Sequence, residues 1–211
     1  MKTLIAVPCM DQVAAPFAQN LASMEKVGEA VIGFIIGSLV YESRNNLAKQ
    51  AIKSAFDYIM FIDSDMVFDA DLMPRLMRHC EEDGMDIVTG IYFRRRPPFT
   101  PVIYEKLEVD ADGKGHWDDF FDYPEGSVFE IAGCGFGCIL IKTQVLMDMA
   151  AKYSTWFEPI HGFGEDLSFC LRARELGYKI YCDSSIKCGH VGQLVVDESV
   201  YKSMKANAII K

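Results

Sequence analysis

Two aspartates, one residue apart, follow an apolar run in Phe61-Ile62-Asp63-Ser64-Asp65. Positions i and i+2 share one face of a strand, and just past a strand's end both carboxylates can reach one cation. Hard oxygen donors of this kind suit Mg²⁺ or Mn²⁺, and such a cation in turn suits a diphosphate. Asp and Ser are also common in turns for the sake of the backbone, so this pair alone settles nothing. A second acidic pair, Glu165-Asp166, follows Gly162 and Gly164 at the start of a helical pattern. The helix dipole favours acids there whatever the function. The chemical reading is a general base within hydrogen-bond reach of an acceptor hydroxyl. A third segment, Cys188-Gly189-His190-Val191-Gly192, sets one imidazole between glycines. Cys182, Cys188 and His190 lack the spacing of a zinc knuckle.

The elements that must position these groups alternate. Apolar runs predict strands at 3–7, 31–36, 58–62 and 86–92. Between them, helical periodicity covers 14–26, 43–56 and 70–83, with Ser43 as N-cap of the second helix, Pro74 in the first turn of the third and Gly84 at its end. Such alternation builds a parallel sheet covered on both faces, and ligands bind at the carboxyl ends of its strands, where Asp63 and Asp65 fall. The middle of the chain changes character. Residues 94–127 are rich in Pro, Asp and Gly and read as an inserted loop or hairpin, with a strand at 100–106 and a turn at Asp112-Gly113-Lys114-Gly115. Strands are expected again at 127–131, 138–142 and 178–182, helices at 143–153 and 165–176, and a loose helix at 197–211.

Composition limits the function classes. The chain has 211 residues, enough for one α/β domain over 1–211 and too few for two. Half the residues are hydrophobic and 24% are charged, which excludes a disordered or fibrous chain. The net charge of −9 makes a general polyanion binder a poor reading, Arg94-Arg95-Arg96 being the one basic cluster. Seven scattered cysteines without a CxxC pair read as reduced thiols, used as small core residues in a cytoplasmic protein. Four apolar residues before Pro8 are too few for a signal-peptide core. The longest apolar run, 31–40, is broken by Gly33 and Gly37, so no membrane insertion is expected.

In order and spacing, several segments together resemble the GT-A-fold glycosyltransferases, nearest the family 2-like group. They are Ile5-Ala6-Val7-Pro8, Ser43-Arg44-Asn45-Asn46-Leu47-Ala48, Phe61–Asp65, Gly133-Cys134-Gly135-Phe136-Gly137, Gly164-Glu165-Asp166 and Gly189-His190. The resemblance implies a single Rossmann-like GT-A domain, mainly parallel, that moves a sugar from a nucleotide-diphosphate donor to an acceptor hydroxyl with Mn²⁺ or Mg²⁺. It implies that Asp63 and Asp65 form a DxD metal and donor site, with His190 completing the metal site. Pro8, Arg44, Asp63 and Ser64 would then lie along the nucleotide. Asp166 would be the base of an inverting displacement, with Glu165 beside it. Gly133, Gly135 and Gly137 would border donor sugar and acceptor, and Trp156 and Phe163 become candidates for stacking on a sugar ring. One departure is at 37–38, where Gly37-Ser38 stands in place of an acid that often reads the base or ribose, Glu42 being the nearest. With only a short tail after His190, the insertion, the glycine loop or a partner is expected to hold the acceptor.

Three rivals bear on this. A retaining enzyme could share the same metal site. A sugar-nucleotide pyrophosphorylase needs a glycine-rich basic loop after the first strand, but Pro8-Cys9-Met10-Asp11-Gln12 has neither glycine nor base. A non-catalytic nucleotide- or sugar-binding module would not need Asp166 beside a metal site. The acceptor is expected to be a saccharide or a carrier. The three arginines leave an anionic acceptor open, a modified DNA base included, against the plainer reading of a solvated loop paired with nearby acids.

Overall fold

The computed structural model describes residues 1–37 and 39–192; Ser38 and the helix expected at 197–211 lie outside the described residues. The chain opens with β1 (Lys2–Cys9), α1 (Ala15–Ser23), β2 (Glu29–Ile36), α2 (Val40–Lys53) and β3 (Tyr58–Ile62). In β1, Leu4 and Ala6 enter one core cluster while Ile5 and Val7 enter the other. This alternation is what a strand covered on both faces requires. Helix α2 begins at Val40 with Leu39 as N-cap, so Ser43 lies inside its first turn and is not the cap expected of it. The capping position needs extended backbone, which Leu39 supplies at ψ 141°.

The short strand β4 (Met66–Val67) follows the Asp63–Asp65 turn and leads to α3 (Leu72–Glu82) and β5 (Ile87–Ile91). Gly84 ends α3 at φ +72°, a backbone conformation that favours glycine. The insertion contains a hairpin of β6 (Ile103–Val109) and β7 (Gly115–Asp119), set a few residues later than the expected strand. Then come β8 (Val128–Ile131), β9 (Gly133–Cys134), β10 (Cys138–Lys142), α4 (Thr143–Lys152), α5 (Glu165–Glu175), β11 (Ile180–Lys187) and β12 (Gly189–His190).

Seven strands form the central sheet in the order β2-β1-β3-β10-β5-β11-β8. The pairs β2–β1, β1–β3 and β5–β11 are parallel, whereas β10 runs antiparallel to both β3 and β5. The chain re-enters the sheet from the ligand edge, where Gly137 O accepts from Asp63 N at 3.2 Å, so its next strand has to run back the other way. A separate sheet, β7-β6-β9, carries the insertion, and β4 pairs with β12 alone. All seven cysteines are free and buried. Among the described residues, no helix is long and apolar enough to cross a membrane.

Below the ligand edge, Phe61, Phe136, Phe157 and Phe169 are fully buried, with ring centroids 5.0–5.7 Å apart between neighbours. Each such ring contributes about 2–3 kcal/mol by its burial. Together they make a stiff floor, and the Arg44 guanidinium lies 5.3 Å above the Phe136 centroid.

Candidate active site

The backbone of Asp63–Asp65 is tied at four points. Asp63 N donates to Gly137 O, Met66 N donates to Asp63 O, Ala14 N donates to Ser64 O, and Val191 N donates to Asp65 O at 2.8 Å. The last of these comes from the chain leaving β12, whose pairing sets His190 opposite Met66 and Gly189 opposite Val67. Glycine eases this close approach, because a Cβ at Gly189 would come 3.2 Å from Val67 Cβ, tighter than an ordinary contact. A two-residue ladder thus carries His190 across the fold to Asp65.

His190 Nε2 lies 3.4 Å from Asp65 Oδ2. Its other ring nitrogen, Nδ1, is 3.0 Å from Phe93 O. A carbonyl can only accept, so Nδ1 carries a proton and Nε2 is the atom that faces the carboxylate. The Asp65 hydrogen bond raises the His190 pKa, against the opposing effect of burial. For Asp65, burial works against ionisation, but His190 and Arg95 outweigh it and hold the carboxyl below the ordinary range. Arg95 Nη1 donates to the same Oδ2.

Asp63 points elsewhere. Its Oδ1 accepts from Arg44 Nη2 at 2.7 Å, and Arg44 Nη1 donates to Glu165 Oε1 at 3.1 Å. Arg44 is 3% exposed, so the ion pairs form largely out of water. Burial would lower its pKa, but Asp63, Glu165 and Asp166 together raise it. Burial first, helped by the Asp65 and Glu165 charges, outweighs Arg44 and raises the Asp63 pKa. Arg44 Nε is buried with no hydrogen-bond partner among the described residues. Arg44 helps to line a cleft of about 340 Å³ together with Pro8, Ser64, Asp65, Glu165 and His190.

Asp166 is not among the residues that line this cleft; it lies near the Tyr92 and Tyr104 phenols, whose pKa values are raised by burial first and then by the nearby acids, Asp166 among them. Leu167 N donates to Asp166 Oδ1 at 2.7 Å. Burial first, and then the Glu165 charge, push the Asp166 pKa up to about 6, with Arg44 pulling the other way. That value suits a group that must take up a proton near neutral pH.

Several expected residues are not at the cleft. Trp156 is 6% exposed, and its indole N–H donates to Leu146 O at 2.8 Å, so the ring is core packing and not a sugar platform. Phe163 is also buried, its ring against Gly115 and Trp117. The glycines at 133, 135 and 137 lie in a buried stretch and do not border the cleft. Their missing side chains make room for others: a Cβ at Gly135 would come 2.1 Å from Tyr92 Oη, and Gly137 N donates to that hydroxyl at 3.2 Å. Arg95, which the sequence reading left with an acceptor or a solvated loop, lines the cleft. Its position had a signal, since the loop after a parallel strand such as β5 must emerge at the ligand edge.

The donor chemistry fits a divalent cation in part. Asp65 offers a hard oxygen, and His190 offers a ring nitrogen whose partner nitrogen is oriented by a carbonyl, as metal-ligating histidines usually are. Asp63 is engaged by Arg44, and among the described residues no three His, Cys, Asp or Glu side chains are gathered for a metal. Two protein ligands leave open positions that phosphate oxygens and water suit.

The family described as "Glycosyl transferase family 2" matches residues 40–148, more than half of the chain. No curated protein matches. Among solved structures, A197 from STIV is similar at 23% identity and a TM-score of 0.67, over 92% of this chain and 87% of that one. GalNAc-T7, solved with UDP, GalNAc and Mn²⁺, is similar at 8% identity and a TM-score of 0.62, over 92% of this chain and 44% of that one. At these identities the likenesses establish the fold, a GT-A domain.

Proposed function

Because the chain belongs to glycosyl transferase family 2 and is a glycosyltransferase, we propose that it transfers a sugar from a nucleotide diphosphate to an acceptor hydroxyl with inversion. Asp65 and His190 hold Mn²⁺ or Mg²⁺. When bound, the cation supplies Lewis-acid neutralisation of the departing diphosphate. Pro8, Ser64 and Arg44 line the nucleotide cleft. Asp63 fixes Arg44 and, through it, Glu165. Asp166 accepts the acceptor proton as the new bond to the anomeric carbon forms, and the raised pKa gives its carboxylate the basicity for this. The acceptor enters by a second hollow of about 400 Å³ that Tyr92, Tyr104 and Pro98 help to line.

The observation that carries the reading is the meeting of Asp65 and His190, 125 residues apart in sequence, at one edge of the cleft. The bound UDP and Mn²⁺ of the similar GalNAc-T7 structure support it. The test is a donor-hydrolysis and transfer screen against nucleotide sugars with and without Mn²⁺, with the product anomer read by NMR. Asp65→Ala is expected to abolish metal-dependent donor binding, and Asp166→Asn to keep donor binding while losing transfer. Native transfer by Asp166→Asn, or a retained anomeric configuration, refutes the single displacement.

A further inference from the structure

Arg95 stands on a closed hairpin that follows β5. Arg94 N donates to Thr100 O and Phe99 N to Arg96 O, both at 2.9 Å, and Phe93 pairs with Pro101. The underside of the hairpin rests on Gly192, where a Cβ would meet Arg95 O at 3.0 Å. The backbone is therefore held over the metal-binding edge. The three arginines on it differ in what they do. Arg94 is spent on Asp119 and the Tyr104 hydroxyl, each at 3.2 Å. Arg96 is exposed and has no acidic partner among the described residues. Arg95 has one hydrogen-bond partner among the described residues, Asp65, and its side chain keeps 49% of its exposure.

That one contact is on Asp65 Oδ2, the oxygen that faces His190 Nε2. A positive charge belonging to the chain thus occupies the point where a divalent cation would be ligated. A half-exposed ion pair is weak and its long side chain is free to leave. A doubly charged hard cation competes for the same oxygen. The displaced guanidinium stays at the site, because Arg95 borders the nucleotide cleft, the hollow beside Tyr104 and a third hollow of about 680 Å³ lined by Gln12, Ser64 and Gly192. A planar fork of N–H donors matches phosphate oxygens.

Building on the metal site proposed above, we infer that Arg95 is an internal counter-ion that holds Asp65 in the metal-free protein and passes to the donor diphosphate when the cation arrives. The exchange keeps Asp65 neutralised in both states and adds a charged contact to the diphosphate only after the metal is seated. Binding would then be ordered, with the cation favouring the diphosphate and the diphosphate favouring the cation, since coupling between two ligands is reciprocal.

The experiment measures binding, not turnover. Mn²⁺ alone is titrated by electron paramagnetic resonance of the free ion, and inorganic pyrophosphate is titrated by calorimetry at saturating Mn²⁺, a probe that needs no base recognition. Arg95→Ala is expected to bind Mn²⁺ alone about fivefold more tightly and pyrophosphate about tenfold more weakly. Arg95→Lys, which keeps the charge without the fork, should hold Mn²⁺ affinity near the native value and lose about threefold on pyrophosphate. Arg96→Ala, a nearby charge with no contact to Asp65, should leave Mn²⁺ affinity within twofold of native. The inference is overturned if Arg95→Ala leaves Mn²⁺ binding unchanged or weaker, if pyrophosphate affinity does not fall, or if Arg96→Ala moves Mn²⁺ as far. Asp65→Ala separates the two levels of argument. If it binds Mn²⁺ as the native chain does, the metal site itself is wrong and both readings fall. If it loses Mn²⁺ while Arg95→Ala fails, only the role of Arg95 falls.

Discussion

Replacing Asp166 by Asn should stabilise the protein above neutral pH while removing transfer. The carboxyl is raised from 3.8 to about 6, with burial and the Glu165 charge against it and Arg44 for it. A shift of about two units corresponds to roughly 3 kcal/mol held against the folded state once the group is ionised. Asn is close to isosteric, and its oxygen can keep the 2.7 Å hydrogen bond from Leu167 N. Part of the gain is returned, because Arg44 loses one of three acids and the new amide needs an acceptor for its own N–H groups. A net gain of about 1–2 kcal/mol follows, or roughly 2–8 °C in melting temperature for a chain of this size. The sign depends on pH. The folded carboxyl takes its proton at higher pH than the unfolded one, so its contribution is fully present below about pH 4 and is lost as pH rises through about 6. The variant lacks that slope, and its advantage should be greatest at about pH 8 and vanish near pH 4. Paired thermal melts at both pH values read this directly. Parallel rate profiles should give the native enzyme an acid limb in kcat/KM near pH 6, against transfer lower by about 10²–10⁴ in the variant. A variant that melts below the native chain at high pH, or whose advantage is the same at both, refutes the electrostatic reasoning.

Arg44→Met keeps a long side chain over Phe136 but leaves Asp63 and Glu165 without their cation. Because those acids keep 30% and 21% of their exposure, the expected loss is about 3 kcal/mol, the low end for breaking a buried ion pair. Urea unfolding measures it, and an unmoved midpoint would mean the pairs hold nothing together. Gly135→Ala sets a Cβ 2.1 Å from Tyr92 Oη and 2.7 Å from Val102 Cγ1, so something must shift at a cost of roughly 1–3 kcal/mol. Adding Tyr92→Phe removes the colliding oxygen and should recover part of that loss; a double variant no better than the sum of the two singles would place the strain elsewhere.

What could be read from the sequence tracks how local its physical cause is. The strands at Tyr58–Ile62 and Cys138–Lys142 keep their expected bounds, because an apolar run buried on both faces needs no partner to be recognised. The direction of β10 was not readable, since a uniform apolar run has no polarity; direction came from where the insertion re-enters the sheet. The two-residue strands β4 and β12 have too little pattern to predict, yet their pairing brings His190 beside Asp65. The aromatics went the other way. Trp156 and Phe163 lie near acidic and glycine motifs in the chain, but an indole N–H satisfied by Leu146 and a ring seated on Gly115 are facts of packing that no spacing reveals. Arg44 shows how the two kinds of cause combine. Its place in a helix was legible, but its hold on Asp63 and Glu165, 19 and 121 residues away, required the strand order that brings α2, β3 and α5 to one edge. The acids of this site are therefore divided by topology: Asp63 and Glu165 are fixed by Arg44, whereas Asp65 is met by His190 and Arg95.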